Sequence, residues 1–542
     1  MAPANVDLEV APASDADERL RRERPRAFAV APAIALFAIG VLARVAPMAD
    51  SGGRLLRQFP TEDGYLMLTI ARNIALGKGM SVSDGLQPTN GTQPLATLVW
   101  AVEFWLAGGD RRLGVLEILV TQLFISAAAA LLLYRLARVL FGEIPRGREV
   151  ALLVSAAWFA SPLVVAHSMN CLETGLYALM VVSVLGCFVH TADDRAWSLR
   201  RCLGAGALLG LAFWARNDAI FLVGAACLLH VTWSLFGRKD QFARRLREAI
   251  VFGATSVLVA SPWLAFNRLR FGAIVPVSGQ SEALDAHFAE NLANAPIAVF
   301  EYATLYLPIP SSLESVPWVV AIASLATALV AVLVIRVLRT APPPARAIAG
   351  IGAIFGLCVL SFYGLSFGAG YFFSRYTFPL SPLLALLWAA VLRRAWELAD
   401  ARGWTVAPPV AAAAVLAFAL GLDGRLYRNG SAHMHFQVVE WVRDHVPDSA
   451  WVAAPQSGTL GFFHDRTINL DGKVNPAALA VRRANGSVTR YVLEKREIEY
   501  LADWEGIASW ATQPPIAAQF ELVVDDPGRN LAVLRRREHA GS

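Results

Sequence analysis

Residues 317–335 read Pro-Trp-Val-Val-Ala-Ile-Ala-Ser-Leu-Ala-Thr-Ala-Leu-Val-Ala-Val-Leu-Val-Ile, and no charged side chain appears until Arg336. The hydrocarbon core of a bilayer offers backbone amides no partner, so a crossing segment is a helix of about 20 mostly apolar residues. This run meets that requirement. Ten others are like it: 28–47, 114–134, 150–166, 173–190, 203–215, 219–236, 249–265, 347–366, 377–393 and 406–422. The composition of the 542 residues agrees, at 56% hydrophobic and 17% charged, against roughly 45–50% and 25% in soluble proteins. Gly and Pro show no period and only five cysteines occur, none in a CxxC pair, so collagen, a disulfide framework and a zinc knuckle are excluded. The sequence predicts an α-helical polytopic membrane protein with about 11 transmembrane helices.

Lys and Arg set the expected orientation. Arg19, Arg21, Arg22, Arg24 and Arg26 precede the first run, and further basic clusters fall at 135–148, 195–201, 238–247, 336–346 and 393–402. These segments share one side, the cytoplasmic one, if positive charge stays inside. The same loops account for the net charge of +5, so nucleic acid is not an expected partner. No small-residue cleavage site follows the first run, which reads as an anchor and not a signal peptide. The expected divisions are a cytoplasmic basic tail (1–27), a transmembrane module (28–422) and an extracytoplasmic domain (423–542). The module carries a first outer loop at 48–113 and a large outer loop at 267–316. Counting Leu95–Leu106 as a span would move the 135–148 cluster outside, so it reads as an interfacial helix.

Beyond residue 423 the pattern changes. A helical stretch (Phe436, Val439, Trp441, Val442) precedes short β-like runs at Trp451–Ala454, Thr467–Leu470, Phe520–Val524 and Leu531–Leu534, separated by turn signals such as Pro527-Gly528. This predicts a small α/β domain.

The segment with most chemistry is Phe59-Pro60-Thr61-Glu62-Asp63-Gly64-Tyr65, just beyond the first run. A carboxylate there suits proton abstraction from a hydroxyl attacking a sugar's anomeric carbon, or ligation of a cation beside a phosphate. The plainer reading is an acidic turn in which Asp63 caps the helix Tyr65–Ala75. Asp63, Glu173, Arg216, Asp218 and Arg375 come from separate parts of the chain, yet the charge-derived topology puts all five at the outer boundary. Ionisable groups at membrane depth are costly and mark function more often than chance, although snorkelling accounts for any one Arg alone.

Glu62-Asp63-Gly64-Tyr65, Ala71-Arg72-Asn73 and Gly77-Lys78-Gly79 together resemble the first outer loop of GT-C-type membrane glycosyltransferases. The likeness is strongest to the branch containing actinobacterial cell-wall arabinofuranosyltransferases, where Asp-Asp-Ala-Tyr leads to Ala-Arg-Asn and Gly-His-Gly. Further landmarks follow in the family's order: Asn90-Gly91-Thr92-Gln93-Pro94-Leu95, Cys171-Leu172-Glu173-Thr174-Gly175 (a Gly-Leu/Met-Glu-Thr turn), Ala215-Arg216-Asn217-Asp218 (Ala-Arg-Pro-Asp/Glu), Val275-Pro276-Val277-Ser278-Gly279, Arg375-Tyr376, and Asn469-Leu470-Asp471-Gly472. This sequence departs from the pattern at Glu62 and Lys78. The resemblance implies transfer of a sugar from a polyprenyl-phosphate donor to a glycan, lipid or protein acceptor, at the outer face of a bacterial inner (cytoplasmic) membrane.

Within that expectation Asp63 is the general base, with Glu62 as the alternative. Arg375, then Arg216, with Tyr376, hold the donor phosphate, because guanidinium matches phosphate oxygens bidentately. Glu173, Asp218, Tyr65 and Lys78 position substrates. Some members of the superfamily need Mg²⁺ or Mn²⁺, but no hard-ligand cluster in this sequence demands one. His433 and His435 with His445 or His464 read as surface histidines before metal ligands, and His230 as a hydrogen-bonded interior residue. Two other functions remain open: a transporter or flippase of lipid-linked sugars, which would show inverted repeats and polar midplane helices, and a non-catalytic glycan-binding membrane protein.

Overall fold

The structure is a computed structural model. It describes all residues except 1–14, 51–52, 144–145, 194, 237–238, 305–306, 369, 371–372, 405–406, 430–434 and 538–542. Arg238, His433 and the first half of the basic tail lie outside the described residues.

Among the described residues, each of the eleven apolar runs is mostly helical. Seven helices among the described residues are long and apolar enough to cross a membrane: Val30–Ala49, Arg111–Phe141, Thr174–Ala192, Lys239–Phe271, Pro317–Thr340, Pro343–Ser366 and Phe373–Ala401. An eighth arises if Gly147–Ala160 and Pro162–Ser168, bent by 58°, are one span. The break falls at Ser161, whose side chain accepts from Val164 N and caps the second piece ahead of Pro162. The chain is thus a multi-pass membrane protein. Runs 203–215 and 219–236 give the shorter helices Leu199–Ala215 and Ala219–Thr232, and the described part of run 406–422 lies in the helix Ala407–Asn429. Leu199–Ala215 packs closely on the long Phe242–Phe271 helix because Gly206 and Gly210 leave room: a Cβ on Gly206 would stand 2.4 Å from the Phe252 carbonyl oxygen. The expected interfacial stretch is a helix, Pro94–Leu106, too short to be counted with the seven.

The 48–113 loop is built around the helix Glu62–Ala75 and a two-stranded antiparallel ribbon, β1 (Ser81–Val82) with β2 (Gln87–Pro88). Thr61 is the N-cap, its hydroxyl accepting from Gly64 N at 3.1 Å. Asp63 sits in the first turn, one residue inside the helix and so not the cap. The large loop holds two helices longer than a single turn, Val277–Glu282 and Asn294–Thr304.

The C-terminal segment contains strands β3 (Trp451–Ala454), β4 (Thr467–Asn469), β5 (Ile498–Asp503), β6 (Phe520–Asp526) and β7 (Leu531–Arg536) in one sheet of order β4-β3-β5-β7-β6. β3 runs parallel to β4 and β5, whereas β5 with β7 and β6 with β7 are antiparallel. The expected strands form within a residue or two of their places. β5, the centre of the sheet, escaped the sequence reading because Lys495-Arg496-Glu497 and Glu499 make it look like a charged surface; inside the fold Ile498, Leu501, Ala502 and Asp503 are buried.

Two apolar clusters hold the module to the rest. Phe462, on the helix Gly458–Phe463, inserts among Tyr65, Leu68, Trp100 and Phe104 of the 48–113 loop. Val474 meets Leu66, Ile70 and Val82.

Candidate active site

The N-terminal turn of Glu62–Ala75 sits over the turn preceding the Thr174–Phe188 helix: Thr61 N donates to the Asn170 carbonyl. That turn is shaped by Cys171, whose φ of 61° is in the left-handed region. An L side chain there carries a cost of about 1–2 kcal/mol, which gives a physical reason for the glycine in the resembling motif. Gln122 clasps it, donating to Leu172 O at 3.0 Å and accepting from Cys171 N. The result holds the first turn of Glu62–Ala75 against the segment that leads into Glu173.

Arg375 approaches from the start of the Phe373–Ala401 span, and its Nη1 donates to Asp63 Oδ2 at 2.6 Å across 312 residues of sequence. Its Nη2 donates to Tyr376 OH at 2.9 Å. The preceding residue is gripped by the large loop: the Ser374 hydroxyl donates to Glu301, and Tyr302 OH donates to the Ser374 carbonyl at 2.5 Å.

Arg216 lies deeper, 3% exposed, in the turn between Leu199–Ala215 and Ala219–Thr232. It donates to both Asp218 oxygens (2.9 and 3.3 Å) and to Tyr363 OH (2.9 Å), and lies 3.6 Å from Glu173 Oε1. Tyr363 OH in turn donates to Asp218 at 2.8 Å. The Tyr376 ring joins the two groups. It stacks on Tyr363 at 4.4 Å and carries the guanidinium carbons of Arg375 and Arg216 at 4.9 and 5.1 Å. Asp63, Arg375, Tyr376, Arg216, Asp218 and Glu173 therefore form one connected network.

Three residues named from sequence lie apart from it. Glu62 is buried against the C-terminal module, its carboxylate accepting from the backbone N of Gly458 and Thr459 (2.9 Å for the latter) and from Thr459 Oγ1 at 2.5 Å. Tyr65 is a core residue; its ring packs 5.1 Å from Phe462 and its hydroxyl donates to the Leu56 carbonyl. Lys78 pairs with Asp84 in the β1–β2 ribbon.

Sequence reading missed Tyr363 and Lys473. Tyr363 looks like an interfacial tyrosine at a span end but is 5% exposed and turned inward. Lys473 directly follows the Asn-Leu-Asp-Gly motif and pairs with Glu282 at 2.8 Å; that adjacency was its only signal. Burial pushes the Asp63 carboxyl up, but Arg375 and Lys473 outweigh it and hold Asp63 below the ordinary carboxylate range. Lys473 is itself raised by Asp63, Asp471 and Glu282 against its burial. Burial brings His435 down to about 4, leaving it neutral.

Among the described residues no group of three or more His, Cys, Asp or Glu side chains is arranged to hold a metal ion. Asp63 is engaged by Arg375, His435 stacks on Trp504 at 4.5 Å, and His464 faces the Ala450 carbonyl at 2.9 Å. Among the described residues the side chains that could ligate the Mg²⁺ or Mn²⁺ left open by the resemblance are thus engaged with other partners. His230 bonds Glu248 at 2.8 Å in the interior.

Residues 425–536 match a family described as "Domain of unknown function (DUF8728)". No curated protein matches the sequence at a significant level. Solved structures align over nearly the whole chain. ArnT from Cupriavidus metallidurans bound to undecaprenyl phosphate gives a TM-score of 0.58 at 13% identity, covering 94% of this chain and 99% of that one. The apo form of the same protein gives 0.60 at 14%, with 92% and 97% covered. The archaeal oligosaccharyltransferase AglB from Archaeoglobus fulgidus, in complex with an inhibitory peptide and a dolichol-phosphate, gives 0.53 at 13%, with 96% and 75% covered. At these identities the likeness is one of fold, and the chain shares the fold of ArnT and AglB.

Proposed function

We propose that this protein is a membrane glycosyltransferase that moves a sugar from a polyprenyl-phosphate donor to a cell-envelope acceptor on the outer face of a bacterial cytoplasmic membrane. The observation carrying the reading is the Asp63–Arg375 pair, a carboxylate and a guanidinium joined at 2.6 Å beside a second, buried guanidinium at Arg216. ArnT with undecaprenyl phosphate and AglB with dolichol-phosphate, both of this fold, support a lipid-phosphate donor. The proposed topology has about 11 spans, the N-terminus inside and the residue 423–542 domain outside. Arabinofuranose is the first donor sugar to test, on the strength of the motif resemblance.

The chemistry divides between the two members of the pair. Cleaving the anomeric C–O bond leaves a phosphate whose charge must be held; Arg375 supplies a partly exposed fork, and Tyr376 orients it. Arg216 is committed to Asp218, Tyr363 and Glu173, so it contributes positive potential and holds Tyr376 more than it offers free donors. Asp63 takes the proton from the acceptor hydroxyl. While paired it is a weak base, since a base works best near ambient pH. A donor phosphate competing for Arg375 releases Asp63 and raises its basicity, so base activation follows donor binding. Glu62 has a structural role in this scheme.

The test is transfer by purified protein from a panel of synthetic polyprenyl-phosphate sugars. Asp63→Asn is expected to reduce turnover by about 10²–10⁴ while leaving thermal stability near that of the native protein. Native-like transfer by this variant would sink the assignment of the base, and no transfer from any donor by the native protein would sink the function.

A further inference from the structure

A cavity of about 490 Å³ lies between the helix Val277–Glu282 with its following loop, Gly368, and the C-terminal module. That volume falls in the roughly 300–1,000 Å³ range of small-molecule sites. Its charged lining is mixed and largely paired: Lys473 with Glu282 at 2.8 Å, and Arg482 with both oxygens of Asp285 at 2.6 and 2.7 Å. Arg482 also donates to the Asp471 carbonyl at 3.0 Å, and Ser281 Oγ donates to the same oxygen at 2.8 Å, so the wall is rigid. Asp471 and Gln456 add donors and acceptors, and Trp510, half-buried, supplies an aromatic face.

Such a lining suits one chemical class. Three carboxylates against two cations leave no surplus positive charge for a phosphate or sulfate, and Pro455, Leu470, Val488 and Trp510 supply apolar patches interleaved with polar groups, not a continuous apolar slot for an alkyl chain. Paired charged side chains offer acceptors and donors side by side, matching hydroxyl groups that do both, while an indole face covers the C–H face of a sugar ring. The position matters equally. Lys473, paired with Glu282 in the cavity wall, also acts electrostatically on Asp63, so the cavity and the carboxylate share this residue.

From these we infer that the cavity lined by Glu282, Asp285, Asp471, Lys473, Arg482 and Trp510 binds the uncharged glycan terminus of the acceptor and directs its hydroxyl toward Asp63. This rests on the glycosyltransferase reading and narrows its acceptor from glycan, lipid or protein to a neutral glycan. Trp510 is the stacking platform and Asp285, held by Arg482, an acceptor for sugar hydroxyls.

The test uses full-length protein in detergent, with neutral arabinosyl, mannosyl and galactosyl trisaccharide glycosides as probes. Trp510→Ala and Asp285→Ala are expected to raise the acceptor KM by about tenfold, with the donor KM within about twofold of native and Trp510→Phe restoring most of the loss. Saturation-transfer NMR without donor is expected to show at least one trisaccharide bound to the native protein and not to Trp510→Ala. If native protein transfers sugar but neither variant changes the acceptor KM, the cavity is not the acceptor site and the enzyme reading stands. If native protein transfers nothing yet binds a trisaccharide through Trp510, the enzyme reading falls and the cavity stands as a glycan site. Transfer by native protein that neither binds nor glycosylates any of these trisaccharides would overturn the inference.

Discussion

Glu62 and Asp63 differ by one methylene and one position, yet the fold separates their work. Successive helical residues point about 100° apart, which turns Glu62 to the C-terminal module and Asp63 to Arg375. Glu62→Ala removes a buried carboxylate that accepts three hydrogen bonds and leaves the Gly458 and Thr459 amides unsatisfied. A loss of about 2–4 kcal/mol follows, read as a lower melting temperature and faster limited proteolysis of the module. Arg375→Lys keeps a positive charge but loses the planar fork; transfer is expected to fall by about 10²–10³ in the donor-dependent assay, whereas the melting temperature changes little.

At the scale of elements, the site depends on how tightly the module sits against the 48–113 loop. Gly458 opens the helix whose Phe462 inserts into the loop's core, and a Cβ there would fall 2.1 Å from the Glu62 carbonyl oxygen. Backbone cannot give way as a flexible side-chain end can. Gly458→Ala is therefore expected to loosen the module, visible as increased amide hydrogen exchange over residues 451–470 and in the helix Glu62–Ala75 together. Ionic contacts at the rim, Arg72 and Arg111 on Asp465 at 3.2 and 2.9 Å, are partly exposed and contribute less.

For the whole molecule, the buried ionisable groups of the module give stability a signed pH dependence. Burial, with Glu62 and Asp471 adding repulsion, pushes Asp503 up to about 8 from an ordinary value of 3.8, although Gln456 N and Trp504 N donate to it. The folded state thus holds a proton that the unfolded chain releases, so this contribution is full below pH 3.8 and is lost as pH rises through 8. His435, depressed to about 4 from 6.5, acts in the opposite sense below pH 6.5. Between pH 6.5 and 8 the Asp503 effect is unopposed by His435, and the module's melting temperature is expected to fall with rising pH; Asp503→Asn should flatten that slope. Much of this architecture was legible beforehand. The apolar runs and four of the five module strands follow from local pattern, because hydrocarbon and backbone geometry impose their requirements segment by segment; the Asp63, Glu173, Arg216, Asp218 and Arg375 set comes from the motif resemblance, with the charge-derived topology beside it. What no segment carries is which carboxylate meets which cation. The separate duties of Glu62 and Asp63, the inward turn of Tyr363, the central place of β5 and the approach of Lys473 to Asp63 all arise from contacts between segments that are not neighbours in sequence. Packing alone brings those segments together.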